Sequence, residues 1–439
     1  MRTGQKRHRS WRRGAVLVSA LGWLVAVGCE SKPVEVVETR VAMNTLVTVR
    51  VIAPAEPAAR EALAAAWKEM EAGIDKLDWH REPSEAWLRH DEKARKDPSQ
   101  WPSDVWLINQ NAGEFAISVD PRVAGCLSAA KETYDLSGGA FDPTILPVLD
   151  VWREAVKRDE LPTDAELARA RALVGMDKIG IIVELAVRPP SALPNVPPGT
   201  PPPTQEELLA PVHAIEVPEK GMRIDLGGIA KGYIVGRMVG RMEQHGIKAA
   251  LVEAGGDVFA LGERPEGLVA KGGDRRWGIG VQDPRYPDDP TRLYTAMRVR
   301  GQAVVTSGHY RRGFTVAGRR FSHIVDPRTG RPVDTRLASV TVVAPDAALA
   351  DGLATAVEVL GVEEGKAMLD DLENVEYLLL ESPRKEGSPA PTTSPVGEAG
   401  NAGSAAEGRV TPEETPLIAH RSRGFAALEY RPEPRKAEE

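Results

Sequence analysis

Eight of the fifteen residues from Pro189 to Pro203 are proline. Proline has no N–H to donate and fixes φ near −65°, so this density excludes helix and ladder and reads as polyproline-like surface chain. The folded part must therefore be assembled from sequence on both sides of an insertion at residues 188–206. A second break, residues 382–416, is rich in Ser, Gly, Pro, Ala, Thr and Glu and has no aromatic residue. It cannot bury enough apolar surface to offset backbone ordering, so it reads as a disordered insertion. Length alone, 439 residues, suggests two to three domain equivalents; setting the insertions aside leaves one unit. A hydrophobic share of 42% marks that unit as globular, and two cysteines exclude a disulfide framework. The net charge of −7 argues against nucleic-acid binding.

The N-terminus has a different character. Arg2, Lys6, Arg7, Arg9, Arg12 and Arg13 precede an apolar run from Gly14 to Val27, which ends in Ala26-Val27-Gly28-Cys29. A basic block, a short apolar stretch and small residues before a cysteine resemble a bacterial lipoprotein signal, with residues 1–28 removed and Cys29 lipidated. An ordinary cleaved signal and an uncleaved anchor are the alternatives. Removing residues 1–28 takes six basic residues and no acid, which moves the charge from −7 to −13. The expectation is an exported bacterial lipoprotein, membrane-anchored and facing the periplasm or cell exterior, with residues 29–39 as tether. Cys126 is then a lone thiol, expected in the core.

Between residues 34 and 53, Val41, Val47, Val49 and Val51 alternate as in an extended, half-buried segment. Helical spacing predicts helices over Ala58–Leu77, Asp120–Tyr134, Thr163–Leu173 (with Thr163 and Glu166 as a capping box), Ile229–Glu243 and Leu349–Leu360. Strands are expected at Met222–Ile224, Ala249–Val252, Val258–Leu261, Trp277–Val281 and Val375–Leu380, with Phe425–Tyr430 returning to the sheet. Helices and strands intermix without a βαβ beat, which favours α+β.

Six segments carry chemistry. Ser137-Gly138-Gly139-Ala140-Phe141-Asp142-Pro143-Thr144 groups an aromatic ring, a carboxylate and a hydroxyl; alone it also reads as a glycine cap and a proline turn. Asp225-Leu226-Gly227-Gly228-Ile229-Ala230-Lys231-Gly232 leads into a helix, where unpaired N–H groups and a lysine suit an anion, though a tight structural turn fits equally. Gly255-Gly256-Asp257 reads as a hairpin turn. Thr306-Ser307-Gly308-His309-Tyr310 and His323-Ile324-Val325-Asp326-Pro327-Arg328 cluster polar groups around turns, the second also readable as a loop whose Asp and Arg pair. Asp351 and Thr355, four apart on one helix, place a carboxylate beside a hydroxyl, which suits Mg²⁺; a helix cap and a backbone hydrogen bond are the plainer alternative.

In this order, SGGAFDPT, DLGGIAKGY, TSGHY with HIVDPRTGRPV, and ADGLATAVEVLG resemble the ApbE family, the FAD:protein FMN transferases. The resemblance implies an α+β, T-fold-like mixed sheet packed with helices, with an FAD cleft between subregions. It implies one domain over residues 40–381, completed by a terminal strand and tail at 417–439. It also implies that the FMN half of FAD is moved to a threonine of an acceptor protein, with release of AMP. By the same resemblance, Met43, Ala140, Phe141, Asp142, Asp225, Lys231, His323 and Ile324 meet FAD. Asp351 and Thr355, with the carbonyls of Gly228 and Ala348, hold Mg²⁺, and His323 is the catalytic base. The implied partners are threonine-containing proteins of membrane or exported electron-transfer chains. The family's usual Met-Gly-Thr is Met43-Asn44-Thr45 here, and Gly236, Glu253 and His309 are further departures. Hydrolysis of FAD to FMN and AMP, or FAD storage without catalysis, are the alternative activities.

Overall fold

In the computed structural model the described residues are 32–89, 91, 93–94, 97–184, 212–308, 313–383 and 416–430. The lipidation signal, Cys29, His309, the proline run and nearly all of 382–416 lie outside them. Among the described residues no helix is long and apolar enough to cross a membrane.

The strands that build the site are, in chain order, β1 (Val34–Ala42), β2 (Thr45–Ala53), β3 (Ala249–Ala254), β4 (Asp257–Leu261), β5 (Trp277–Gln282), β6 (Leu293–Val299), β7 (Gln302–Ser307), β8 (Leu337–Ala344), β9 (Glu376–Glu381), β10 (Ile418–Arg421) and β11 (Glu429–Tyr430). The main helices are α1 (Glu56–Leu77), α2 (Pro121–Leu136), α3 (Ala230–Gln244) and α4 (Ala347–Asp370). Eight strands form one sheet in the order β1-β2-β3-β4-β7-β8-β9-β10. Every pairing in it is antiparallel. The architecture is the expected α+β.

Alternation along the strands gives this sheet two buried faces. Val47, Val49 and Val51 of β2 and Val340 and Val342 of β8 point to the core under the four helices. Val258, Val304, Val343 and Leu378 point the other way, against a three-stranded sheet of order β11-β6-β5. On the helical side, Glu69 of α1 accepts hydrogen bonds from Arg122 of α2 and from Arg237 and Arg241 of α3. Burial alone would raise its pKa; the three guanidiniums overcome that and hold it at about 2.

Three expectations change. The extended stretch 34–53 is a hairpin whose turn, Met43-Asn44, has φ of 49° and 57° at its two central residues, the arrangement that matches strand twist. Met222–Ile224 contributes only an isolated bridge, Ile145 to Arg223. The chain rejoins the large sheet at β10; Phe425–Leu428 is a helical turn and β11 pairs with β6 instead. The predicted end of α4 at Leu360 coincides with a break at Gly361, φ 76°, after which the helix resumes.

Candidate active site

A cavity of about 1640 Å³ opens where the strand ends meet the helices, and the sequence-derived residues collect on its walls. Met43, Ala140, Phe141, Asp142, Asp225, Gly228, Lys231, His323, Ile324, Asp351 and Thr355 all line it. Ala348 is buried in α4 but is not on the wall.

Each wall follows from local sequence. Helix α2 ends at Ser137, and Gly138 and Gly139 turn the chain at φ 58° and 79°. The Phe141 N–H then donates to Ser137 Oγ at 3.0 Å, which aims the ring into the cavity. Asp142 is buried; its Oδ1 accepts from the Thr144 N–H at 2.8 Å and hydroxyl at 2.6 Å, and its Oδ2 from the Met176 N–H at 3.2 Å. Burial still pushes that carboxyl above its ordinary range. Glycine cap and ligand wall are thus the same segment.

Asp225 Oδ1 accepts from the Gly227 N–H at 2.8 Å and fixes the turn into α3. Gly228 is tightly packed: a Cβ there would stand 3.2 Å from Phe141 and 3.3 Å from Thr355, so both would have to give by a few tenths of an ångström. The Thr355 hydroxyl donates to the Gly228 carbonyl at 3.2 Å, so the plainer reading holds for the bond but with a partner 127 residues away. Asp351 does not cap its helix. Asp346 does, accepting from the Leu349 N–H at 2.8 Å. Asp351 Oδ2 instead accepts from the Gly232 N–H at 2.9 Å.

The electrostatics of this wall are lopsided. Lys231 Nζ lies 2.5 Å from Asp257 Oδ2 and 4.0 Å from Asp351 Oδ1. Burial, then repulsion by Asp257, pushes Asp351 up to about 8, and burial raises Asp257 as well. Among the described residues no cluster of three or more His, Cys, Asp or Glu side chains could hold a metal. The oxygen set here is instead one carboxylate, one hydroxyl and a backbone carbonyl, the hard donors that Mg²⁺ takes. A wall with more buried acid than base accommodates such a cation, so the residues fit the metal.

Two wall residues, Glu358 and Trp79, and Asp257 buried behind the wall, escaped sequence reasoning. Asp257 sits beside the Gly255-Gly256 turn, which forms the expected hairpin between β3 and β4. Its alternation places it toward the helices, and only the partner Lys231 reveals its role. Glu358 extends the Asp351/Thr355 face by three residues; burial pushes it up to about 7. Trp79 stacks on His80 at 3.7 Å between ring centroids where α1 gives out. Asp326 and Arg328 pair at 3.0 Å, as the loop reading had it.

A model of the ApbE family matches residues 43–379, most of the chain. The chain belongs to the ApbE family. It is similar to the FAD:protein FMN transferase of Treponema pallidum, 29% identical over 371 residues that cover 84% of this chain and 91% of that one. A Klebsiella pneumoniae protein of the same name is 32% identical over 278 residues, 63% of this chain and 75% of the relative. Among solved structures, the flavin transferase ApbE of Vibrio cholerae superposes with a TM-score of 0.59 at 20% identity, covering 90% of this chain and 99% of that one. The Thermotoga maritima ApbE protein gives 0.60 at 24%, covering 90% and 100%. Those structures share this ApbE fold.

Proposed function

We propose that this protein is a magnesium-dependent FAD:protein FMN transferase that attaches FMN to a threonine of an acceptor redox protein and releases AMP. One observation carries the reading: Asp351 beside Lys231, and the Thr355 hydroxyl bonded to the Gly228 carbonyl, line one cavity large enough for a dinucleotide. The names of its relatives support the same reaction.

Phosphoryl transfer needs alignment and charge neutralisation more than covalent help from the enzyme. Asp351, Thr355 and the Gly228 carbonyl would hold Mg²⁺, which supplies positive charge to the diphosphate. Lys231 adds a second positive charge, and the buried wall strengthens both. Phe141 and Ala140 give the nucleotide an apolar rest, while Met43, Asp142, Asp225 and Ile324 bound its ends. The threonine oxygen bonds to the phosphorus of the FMN half as the P–O bond to AMP breaks. The bridging oxygen leaves with AMP, and His323 takes the threonine proton.

The test is incubation of the purified protein with FAD, Mg²⁺ and candidate apo acceptor proteins. Expected products are flavin-bearing acceptor and AMP in equal amounts. Free FMN and AMP without labelled acceptor would mark hydrolysis, and bound but uncleaved FAD would mark storage. Lipidation at Cys29, tethering an exported enzyme, belongs to the same proposal; mass spectrometry of the native N-terminus checks it.

A further inference from the structure

The cavity has a second arm on the far side of the large sheet. Around the ends of β3, β4 and β7 it continues over Leu251, Val258 and Val304, whose side chains face away from the helices. The opposite wall of this arm is β5, which contributes Gly278, Ile279 and Gly280 in succession, and Gln282 beyond them. A strand that shows a face to a cavity contributes every second residue. Three consecutive residues mean that β5 shows its edge.

That edge is open. Among the described residues β5 pairs only with β6, at the end of the β11-β6-β5 sheet. Edge strands are ordinarily guarded by charge or proline. The edges of the large sheet follow that rule: β1 carries Glu35, Glu38 and Arg40, and β10 carries His420 and Arg421. β5, Trp-Gly-Ile-Gly-Val-Gln, has neither charge nor proline, and Gly278 and Gly280 are exposed. The cavity also exceeds the ~300–1,000 Å³ of ordinary small-molecule sites, which leaves room for a second molecule beside a dinucleotide.

We propose that the open edge of β5 receives the acceptor polypeptide as an extended added strand, and that this pairing delivers its hydroxyl around the strand ends to the diphosphate. The proposal rests on the transferase reading, in which one substrate is a protein. Main-chain pairing supplies affinity with little demand on sequence, while Leu251, Val258 and Val304 meet every second side chain of the guest.

Hydrogen exchange tests this directly. The probes are the apo acceptor proteins of the Treponema pallidum, Klebsiella pneumoniae and Vibrio cholerae transferases, mixed with this protein without FAD so that no turnover occurs. For an acceptor that is flavinylated in the parallel transfer assay, alternate amides between Gly278 and Gln282 should exchange at least tenfold more slowly, with β1 and β10 unchanged. Flavinylation with unprotected β5 amides overturns the edge proposal alone. Flavinylation of none of the three overturns the transferase reading and the proposal with it. Two variants give an independent readout, because neighbouring N–H groups on a strand point to opposite edges. Of Gly278→Pro and Ile279→Pro, one removes an outward donor and leaves the ladder with β6 intact, a ring at Gly278 also displacing the Tyr430 hydroxyl that stands 2.6 Å from a Cβ there; it should raise KM for the acceptor at least tenfold and KM for FAD less than threefold. The other cuts the ladder with β6 and serves as the folding control. An acceptor KM equal to wild type in both would refute the docking mode.

Discussion

Gly232 is where packing and chemistry constrain each other most closely, and Gly232→Ala puts a number on it. Within a helix, alanine ordinarily stabilises over glycine by ~0.5–1 kcal/mol. Here a Cβ would lie 2.2 Å from the Ala347 carbonyl oxygen and 2.7 Å from Asp351 Cβ. Neither neighbour is the end of a flexible side chain, so α3 and α4 must separate. Overpacking of this kind costs ~1–3 kcal/mol. Separation also draws the Gly232 N–H away from Asp351, a hydrogen bond to an acid worth ~1.5–3 kcal/mol when that acid is ionised. Against a helix gain of less than 1 kcal/mol, the net expectation is a loss of about 2–4 kcal/mol. For a folded unit of this size that lowers Tm by roughly 3–6 °C. The same helix carries its own controls. A Cβ on Gly240 meets nothing within 4 Å, and one on Gly236 meets only Ala347 Cβ at 3.9 Å. Gly240→Ala should therefore raise Tm by about 1–2 °C. Differential scanning calorimetry of the two variants decides the matter. A Gly232→Ala protein that melts at or above wild type, or a Gly240→Ala protein that falls as far, would refute the close-packing account.

Asp351→Ala should abolish Mg²⁺-dependent transfer, a loss beyond the ~10–100-fold typical of outer metal partners, read as AMP release against Mg²⁺ concentration. Glu69 has its folded pKa lowered from 4.5 to about 2, so its contribution to stability is complete above pH 4.5 and drains away as pH falls toward 2. The span corresponds to about 3 kcal/mol. Glu69→Gln should flatten the stability profile across that window in urea titrations, and an unchanged profile would exclude the arginine clamp as its cause. Cys126 is fully buried and its thiol is pushed up by burial, so native protein should resist iodoacetamide at pH 8 and react only when unfolded in urea.

What the sequence disclosed depended on how local each signal was. Helices α1, α2 and α3 could be read from spacing and caps because both lie within a turn or two of chain; Asp120 accepting from the Arg122 N–H is such a cap. The β1–β2 turn was harder, since Met43 at positive φ violates the residue preference that marks such turns. The destination of the last strand was not legible at all. Ile418–Arg421 carries one large apolar residue, and its place beside β9 is set by long-range contacts such as His420 Nε2 with Glu381 Oε2 at 2.9 Å. At the site, Asp351 and Thr355 share a helix and could be paired by spacing. Asp257 could not, because its partnership with Lys231 joins a strand to a helix across 26 residues.

The register Val49 to Val252 has a kinetic meaning. The N-terminal hairpin can close locally and early, but its neighbour β3 is synthesised about 200 residues later, and bringing them together is a non-local closure of the slow kind. Until that seam zips, Met43, Asn44 and Thr45 are absent from the cavity wall. FAD capture should therefore appear as a late event in refolding, following helix formation, and flavin fluorescence would time the joining of the two halves of the chain.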